Sequence, residues 1–215
     1  MKYSKTKKEI MTIFKLKHQC KFDIISWSID RAEDKRMKFF EHLRTINHHK
    51  FLVMKHCFRC GLYKQGLLHD MSKYSWTEFS RGVKYYQGYR SPNIAEREVT
   101  GVTMSWLHHK GRNKHHIEYW IDYSPIPGEG IVGMEMPVHY VCEMFCDRVA
   151  ASKTYNKEKY TDHEPLRYYQ KERKHYIIHP NTDRLIVSLL EMLSEKGEDA
   201  TFRYIREVLL KTRKK

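Results

Sequence analysis

Residues 36–60, RMKFFEHLRTINHHKFLVMKHCFRC, carry the reading that decides the fold. Met37, Phe40, Leu43, Ile46, Val53, Cys57 and Cys60 recur at steps near three and four, the spacing that lines one face of an α-helix. His49 stands three after Ile46 and four before Val53, so the stripe carries it inward, whereas His48 points away. His56, one heptad after His49 on the same stripe, is the alternative inward histidine. Gly61 closes the segment, because glycine takes the left-handed conformation in which helices end.

The same periodicity extends outward in both directions, and strand-like alternation is scarce. Gly66-Leu67-Leu68 leads into His69-Asp70 and places that doublet at the end of a buried helical turn. Ser75-Trp76-Thr77-Glu78 has the form of a capping box, with Glu78 reaching back to Ser75, and predicts a helix to about Gln87. Gly88-Tyr89-Arg90 reads as a loop. Ser91-Pro92 predicts another helix start, and that helix carries Val99, Val102 and Trp106 toward His108-His109 before Gly111 breaks it. Pro125, Pro127, Gly128, Gly130 and Gly133 predict a loop over 122–133. Pro137 then opens a helix to about Ala151, in which Asp147 shares a face with Tyr140, Glu143, Met144 and Ala151. Leu185, Ile186, Leu189, Leu190 and Leu193 define a helix that stops near Gly197, and Tyr204, Ile205, Val208 and Leu209 define the last. The expectation is an all-α bundle with additional C-terminal helices.

At 215 residues the chain suits one domain of ordinary size. A net charge of +14 favours polyanionic partners, a phosphate-containing small molecule first and nucleic acid second. Lysines and arginines crowd both ends (Lys2, Lys5, Lys7, Lys8, Lys15, Lys17; Lys211, Arg213, Lys214, Lys215) and read as solvated tails. No stretch approaches the roughly 20 apolar residues of a membrane span, and Met1-Lys2 leads into no secretory apolar segment. Five sparse cysteines argue for reduced thiols and a cytoplasmic location. Cys57-x-x-Cys60 and Cys142-x-x-x-Cys146 lie within amphipathic helices and read as small core residues rather than as a four-thiolate zinc site. Tyr85, Tyr86 and Tyr89 read first as packing residues and only second as a base-stacking surface.

The histidines and aspartates along the middle of the chain read as ligands collected round a metal, since imidazole and carboxylate together suit a borderline or hard divalent cation. A lone histidine, a His-Asp doublet and a distant aspartate, in that order on helices, resemble the HD-domain metal-dependent phosphohydrolase superfamily. The run His69-Asp70-Met71-Ser72-Lys73 looks like its His-Asp-x-x-Lys motif. The strings LLHDMSKYSWTEF, WLHHKGRNKHHIEYW and EMFCDRVAASKTY resemble a little-characterised branch of HD-like proteins that brings no known substrate.

The resemblance implies a basic extension over 1–35, an HD-like core over 36–155 and a C-terminal helical extension packed on it over 156–215. It makes His49, His69, Asp70 and Asp147 the ligands of one metal, and places His108, His109, His115 and His116 as candidates for a second, with His108 and His115 the preferred pair. Zinc, manganese, iron or magnesium, one or two ions per chain, is the expected cofactor. Lys73 and Arg112, with Lys110 and Lys114, are candidates to neutralise phosphate oxygens; Glu143 to orient a ligand or act as base; His109 or His116 to protonate the leaving group. The implied activity is hydrolysis of a nucleotide, cyclic nucleotide or related phosphate ester. An HD-type nuclease, a diiron oxygenase and a non-catalytic metal-containing binding protein are the alternatives. Many HD proteins place the first histidine farther ahead of the doublet than His49 stands from His69, so the loop between them is short in this chain.

Overall fold

The structure, a computed structural model, describes the backbone of residues 7–211 and the side chains of residues 34–211. Its helices are α1 (Lys7–Cys60), α2 (Tyr63–Leu68), α3 (Trp76–Lys84), α4 (Pro92–Thr100), α5 (Met104–Lys110), α6 (Val138–Asn156), α7 (Glu164–Glu172) and α8 (Pro180–Tyr204). The fold is all-α. The 122–133 segment, expected as a plain loop, instead forms a small hairpin: β1 (Ile121–Tyr123) pairs antiparallel with β2 (Ile131–Gly133), Asp122 opposite Val132, and the breakers between them make its tip. Among the described residues no helix is long and apolar enough to cross a membrane.

No glycine or proline interrupts the chain between Lys7 and Cys60, and α1 is correspondingly longer than the stripe over 36–60 suggests. It stops where expected. Gly61 takes φ +81, its N–H donates to the Phe58 carbonyl and that of Leu62 to the Cys57 carbonyl, the paired bonds of a Schellman ending. The chain divides into two compact units, Met1–Glu41 and His42–Lys215. Within the first, Lys38 pairs with Asp34 at 2.8 Å and Phe39 meets Phe40 edge-on. Met37 and Phe40, expected on the buried stripe, are more than half exposed. Helical phase fixes which residues share a face, and nothing in it supplies an element to cover that face. The terminal basic residues Lys2, Lys5, Arg213, Lys214 and Lys215 lie outside the described residues.

The second unit is built round α6, which is buried on every side from Val141 to Cys146. Val53, Cys57 and Cys60 of α1 pack on it, together with Leu166 and Tyr169 of α7 and Ile186, Leu189, Leu190, Leu193 and Phe202 of α8, in one apolar cluster. α8 bends at Gly197 (φ 76, ψ 175), the expected stop, then resumes and ends in a π-helical segment, Ile205–Leu209. Two close approaches seat the elements that carry polar residues. A Cβ on Gly66 would come within 3.0 Å of Cys57 Cβ, so α2 lies tight against α1; one on Gly82 would come within 2.0 Å of His42 Nε2, so α3 leaves room for that buried histidine.

Three local expectations differ from the structure. Leu67 and Leu68 are more than half exposed, and it is Gly66 that α2 buries. α3 ends at Lys84, with Tyr85 as its cap. The helix begun by Ser91 and Pro92, whose cap bond from the Asn93 N–H is present, ends at Gly101 (φ 75), so Val99 and Val102 are exposed and a separate α5 carries Trp106 and the histidines. The glycine offers the left-handed exit that terminates the first helix.

Candidate metal centre

Asp70 is the hub. α2 has only six residues, and after it the chain turns through His69 and Asp70 into a 3-10 turn, Met71–Tyr74. Asp70 adopts left-handed backbone (φ 54, ψ 27), which costs an L-residue about 1–2 kcal/mol and which aspartate tolerates better than most. The reversal sends two successive side chains the same way, with His69 Nε2 3.4 Å from Asp70 Oδ2.

Around this doublet stand His49 from α1 and Asp147 from α6. His49 Nε2 lies 2.9 Å from Asp147 Oδ1 and 4.0 Å from Asp70 Oδ2, and His69 Nε2 lies 3.6 Å from Asp147 Oδ1. Ligand atoms of His49, His69, Asp70 and Asp147 all fall within 4.8 Å of one another. On the other side of Asp70, His109 Nε2 lies 3.3 Å and His115 Nε2 3.4 Å from Oδ1. Asp70, His109, His115 and His116 form a second set at the same closeness. His115 and His116 reach it together because they sit in the irregular turn between α5 and the 3-10 segment Ile117–Trp120, where neighbours are not forced onto different helical faces.

The outer nitrogens are held by carboxylates. His69 Nδ1 donates to Glu143 Oε1 at 3.0 Å, and His115 Nδ1 lies 3.3 Å from the same oxygen, so one residue of α6 orients a histidine in each set. Glu78 accepts from His109 Nδ1 at 2.7 Å and from His108 Nδ1 at 2.6 Å. A donor on Nδ1 leaves the Nε2 lone pair directed inward, the arrangement that metal-binding histidines require.

The inner atoms are not satisfied by the protein. His49, His69, His115 and His116 Nε2 and Asp70 Oδ1 are buried and make no hydrogen bond. Left so, such atoms cost roughly 1–3 kcal/mol each. A cation between them would answer that cost, and the donor set of imidazoles and carboxylates suits a divalent transition metal. Protonation states divide. Against the lowering effect of burial, Asp70, Asp147 and Glu143 raise the His69 imidazole well above its ordinary value, and Asp70 and Glu78 raise His109. These two would give up a proton to a metal, while the other groups are already set for one. Burial works to raise the Asp70 and Asp147 carboxyls, but His69, Lys73 and His109 hold the first, and His49 and His69 the second, well below the usual carboxylate range. Burial, with His115 and His109 alongside, holds the His116 imidazole well below its ordinary value, and burial with Lys73 lowers His49. Deprotonated ligands are what a metal needs, and Asp70, Asp147, His49 and His116 meet that need without one.

The remaining site residues sort by position. Lys73 places Nζ 2.6 Å from Asp70 Oδ2, with 30% of its side chain exposed. His108, one of the expected ligands, is in neither set: it lies about 100° round α5 from His109 and faces Glu78. Arg112 is exposed and donates to the His108 carbonyl, while Lys114 lies over the Tyr119 and Tyr140 rings. His56 is a core histidine, its Nδ1 3.4 Å from the Cys146 carbonyl and its ring 5.2 Å from that of Phe202. Glu78 was not foreseen as part of the site. The capping box expected of it does not form: Ser75 is the N-cap but makes no side-chain cap bond, and Glu78 turns to the two histidines instead.

The chain belongs to the Family of unknown function (DUF5662), whose model matches residues 38–192. No curated protein and no solved structure matches it.

Proposed function

We propose that this DUF5662 member is a metal-dependent phosphohydrolase of the HD type, acting on a nucleotide, a cyclic nucleotide or a related phosphate ester. The observation that carries the reading is the pair of ligand sets sharing Asp70, with buried imidazole nitrogens that no protein group satisfies. His49, His69, Asp70 and Asp147 would hold one ion and Asp70, His109, His115 and His116 a second. Ions bound there supply Lewis acidity and lower the pKa of coordinated water, which is the requirement for attack on phosphorus.

The chain's own groups set the rest. Asp147, His49 and Lys73 retain 17%, 10% and 30% side-chain exposure, whereas Asp70, His69 and His115 are at 2% or less. Substrate therefore approaches from the His49, Asp147 and Lys73 side. Lys73 is the cation of this edge that meets a phosphate oxygen, and the overall positive charge draws such a substrate in. Glu143 acts as orienter of His69 and His115, and the ligand positions of His109 and His116 favour metal binding over proton donation to a leaving group.

The test is hydrolysis of a panel of phosphomonoesters, phosphodiesters and nucleoside triphosphates by the purified chain, with elemental analysis alongside. Turnover of at least one class, lost in His69→Ala with its metal, is expected. A metal-loaded protein inert to the whole panel would sink the reading. One rival, a diiron oxygenase, would use the same two sets, since imidazole and carboxylate also suit iron. An iron-dependent visible absorption band with oxygen consumption would select it.

A further inference from the structure

Lys50 follows the ligand His49 on α1, and its ammonium group is spent on backbone. Nζ donates to the Leu67 carbonyl at 3.0 Å and to the His69 carbonyl at 2.8 Å, and lies 3.1 Å from Met71 Sδ. These are the C-terminal carbonyls of α2 and of the turn beyond it, which a six-residue helix leaves without helical partners. Both lie just ahead of Asp70, with Met71 just beyond it, and the left-handed φ of 54 at Asp70 is one of two such values at non-glycine positions among the described residues. The far end of the same turn is tied to α1 as well, by Tyr74 Oη donating to Asn47 Oδ1 at 2.7 Å.

We infer that Lys50 is a positioning residue, a clamp from α1 that holds the His69–Asp70 turn in the left-handed conformation presenting both side chains to the same metal. In relaxed extended backbone, successive side chains diverge to opposite sides, and His69 and Asp70 would no longer converge. One turn of α1 thus supplies a ligand, His49, and the brace that sets two more. The inference rests on the metal-site reading above and adds a residue that touches neither ligand atoms nor substrate.

The sign of one measurement separates a clamp from a nearby charge. Removing a positive charge beside a cation site by itself tightens cation binding; removing a clamp weakens it. Affinity of the full chain for Mn²⁺ is read by titration calorimetry, and coordination geometry by the visible spectrum of the Co²⁺-loaded protein, for wild type, Lys50→Met, Lys50→Arg and the exposed control Lys55→Met. Lys50→Met, which keeps the stem and deletes the donors, is expected to bind about 10- to 100-fold more weakly with an altered Co²⁺ spectrum, the usual scale for loss of a ligand-orienting contact. Lys50→Arg recovers part of the loss, and Lys55→Met leaves affinity within about twofold of wild type. Unchanged or tighter binding by Lys50→Met overturns the clamp. If that variant does not fold, Lys50→Gln, whose amide still serves one carbonyl, carries the same sign test. A wild-type chain that takes up no metal instead fails the functional reading itself.

Discussion

α1 and α6 meet twice, once through His49 and Asp147 and again through Cys57, Cys60 and Cys146, and the two meetings are opposite in character. At the first, His49 Nε2 lies 2.9 Å from Asp147 Oδ1, beside buried His69, His115 and His116 Nε2 and Asp70 Oδ1 atoms that make no hydrogen bond. At the second, Cys60 Sγ lies 3.7 Å from Cys146 Sγ, within a cluster of apolar side chains, and burial, with Cys57 and Cys60 beside it, pushes the Cys146 thiol well above its usual value. A protonated thiol is a small apolar residue, not a ligand. No cysteine joins a ligand set among the described residues. His49 and His56, one heptad apart on α1, repeat the contrast, since the second finds a carbonyl and an aromatic ring. Residue type does not mark a candidate metal site; buried lone pairs that converge on one point without a partner do.

The sharpest way to break this comparison is to remove its hub. Asp70→Ala takes a shared ligand from both sets and is expected to abolish turnover and empty both sites, whereas His56→Gln keeps full metal content; elemental analysis of the two purified variants decides it. If Asp70→Ala retains wild-type metal, the distinction between the regions is wrong.

A smaller effect is expected one layer out. Glu78→Gln weakens the hold on His109 and should lower metal affinity about 10- to 100-fold, affecting the second set more than the first. Titration that resolves two classes of ion would show it. Equal weakening of both classes would mean that Glu78 does not act through His109.

The smallest effect belongs to the core histidine and is read in metal-free protein. Burial lowers His56 from 6.5 to about 4. Below about pH 6.5 the unfolded chain binds a proton there that the native fold refuses, so stability falls as pH drops, by about 1 kcal/mol per unit, until the native group titrates near 4. His56→Gln should flatten urea-unfolding free energies by that slope between pH 6 and 5. An unchanged slope would show that His56 is not held neutral.

Much of the fold was legible because its signals are local. Gly61 and Gly197 end or bend helices through their own backbone freedom, Ser91-Pro92 starts one, and the phase of His49 between Ile46 and Val53 placed it inward and His48 outward. The His49, His69, Asp70 and Asp147 set was legible as an ordered pattern, and the structure brings those four together. Glu78 and Lys50 were not, because their partners are 30 and 31 residues away in one case and up to 21 in the other, and nothing in their immediate neighbours marks them. The exposed Met37, Phe40, Leu67 and Leu68 mark the same limit from the apolar side.

Periodicity and turn residues act within a few residues of themselves, and they are enough to mark an all-helical chain with an inward histidine, a His-Asp doublet and a later aspartate on separate elements. Packing is what selects which of the four later histidines converge, brings Glu143 and Glu78 to outer imidazole nitrogens, and stands Asp70 between two sets. Those are distances across the core, set by how α1, α3, α5 and α6 pack, and a one-residue step round α5 is enough to separate His108 from His109.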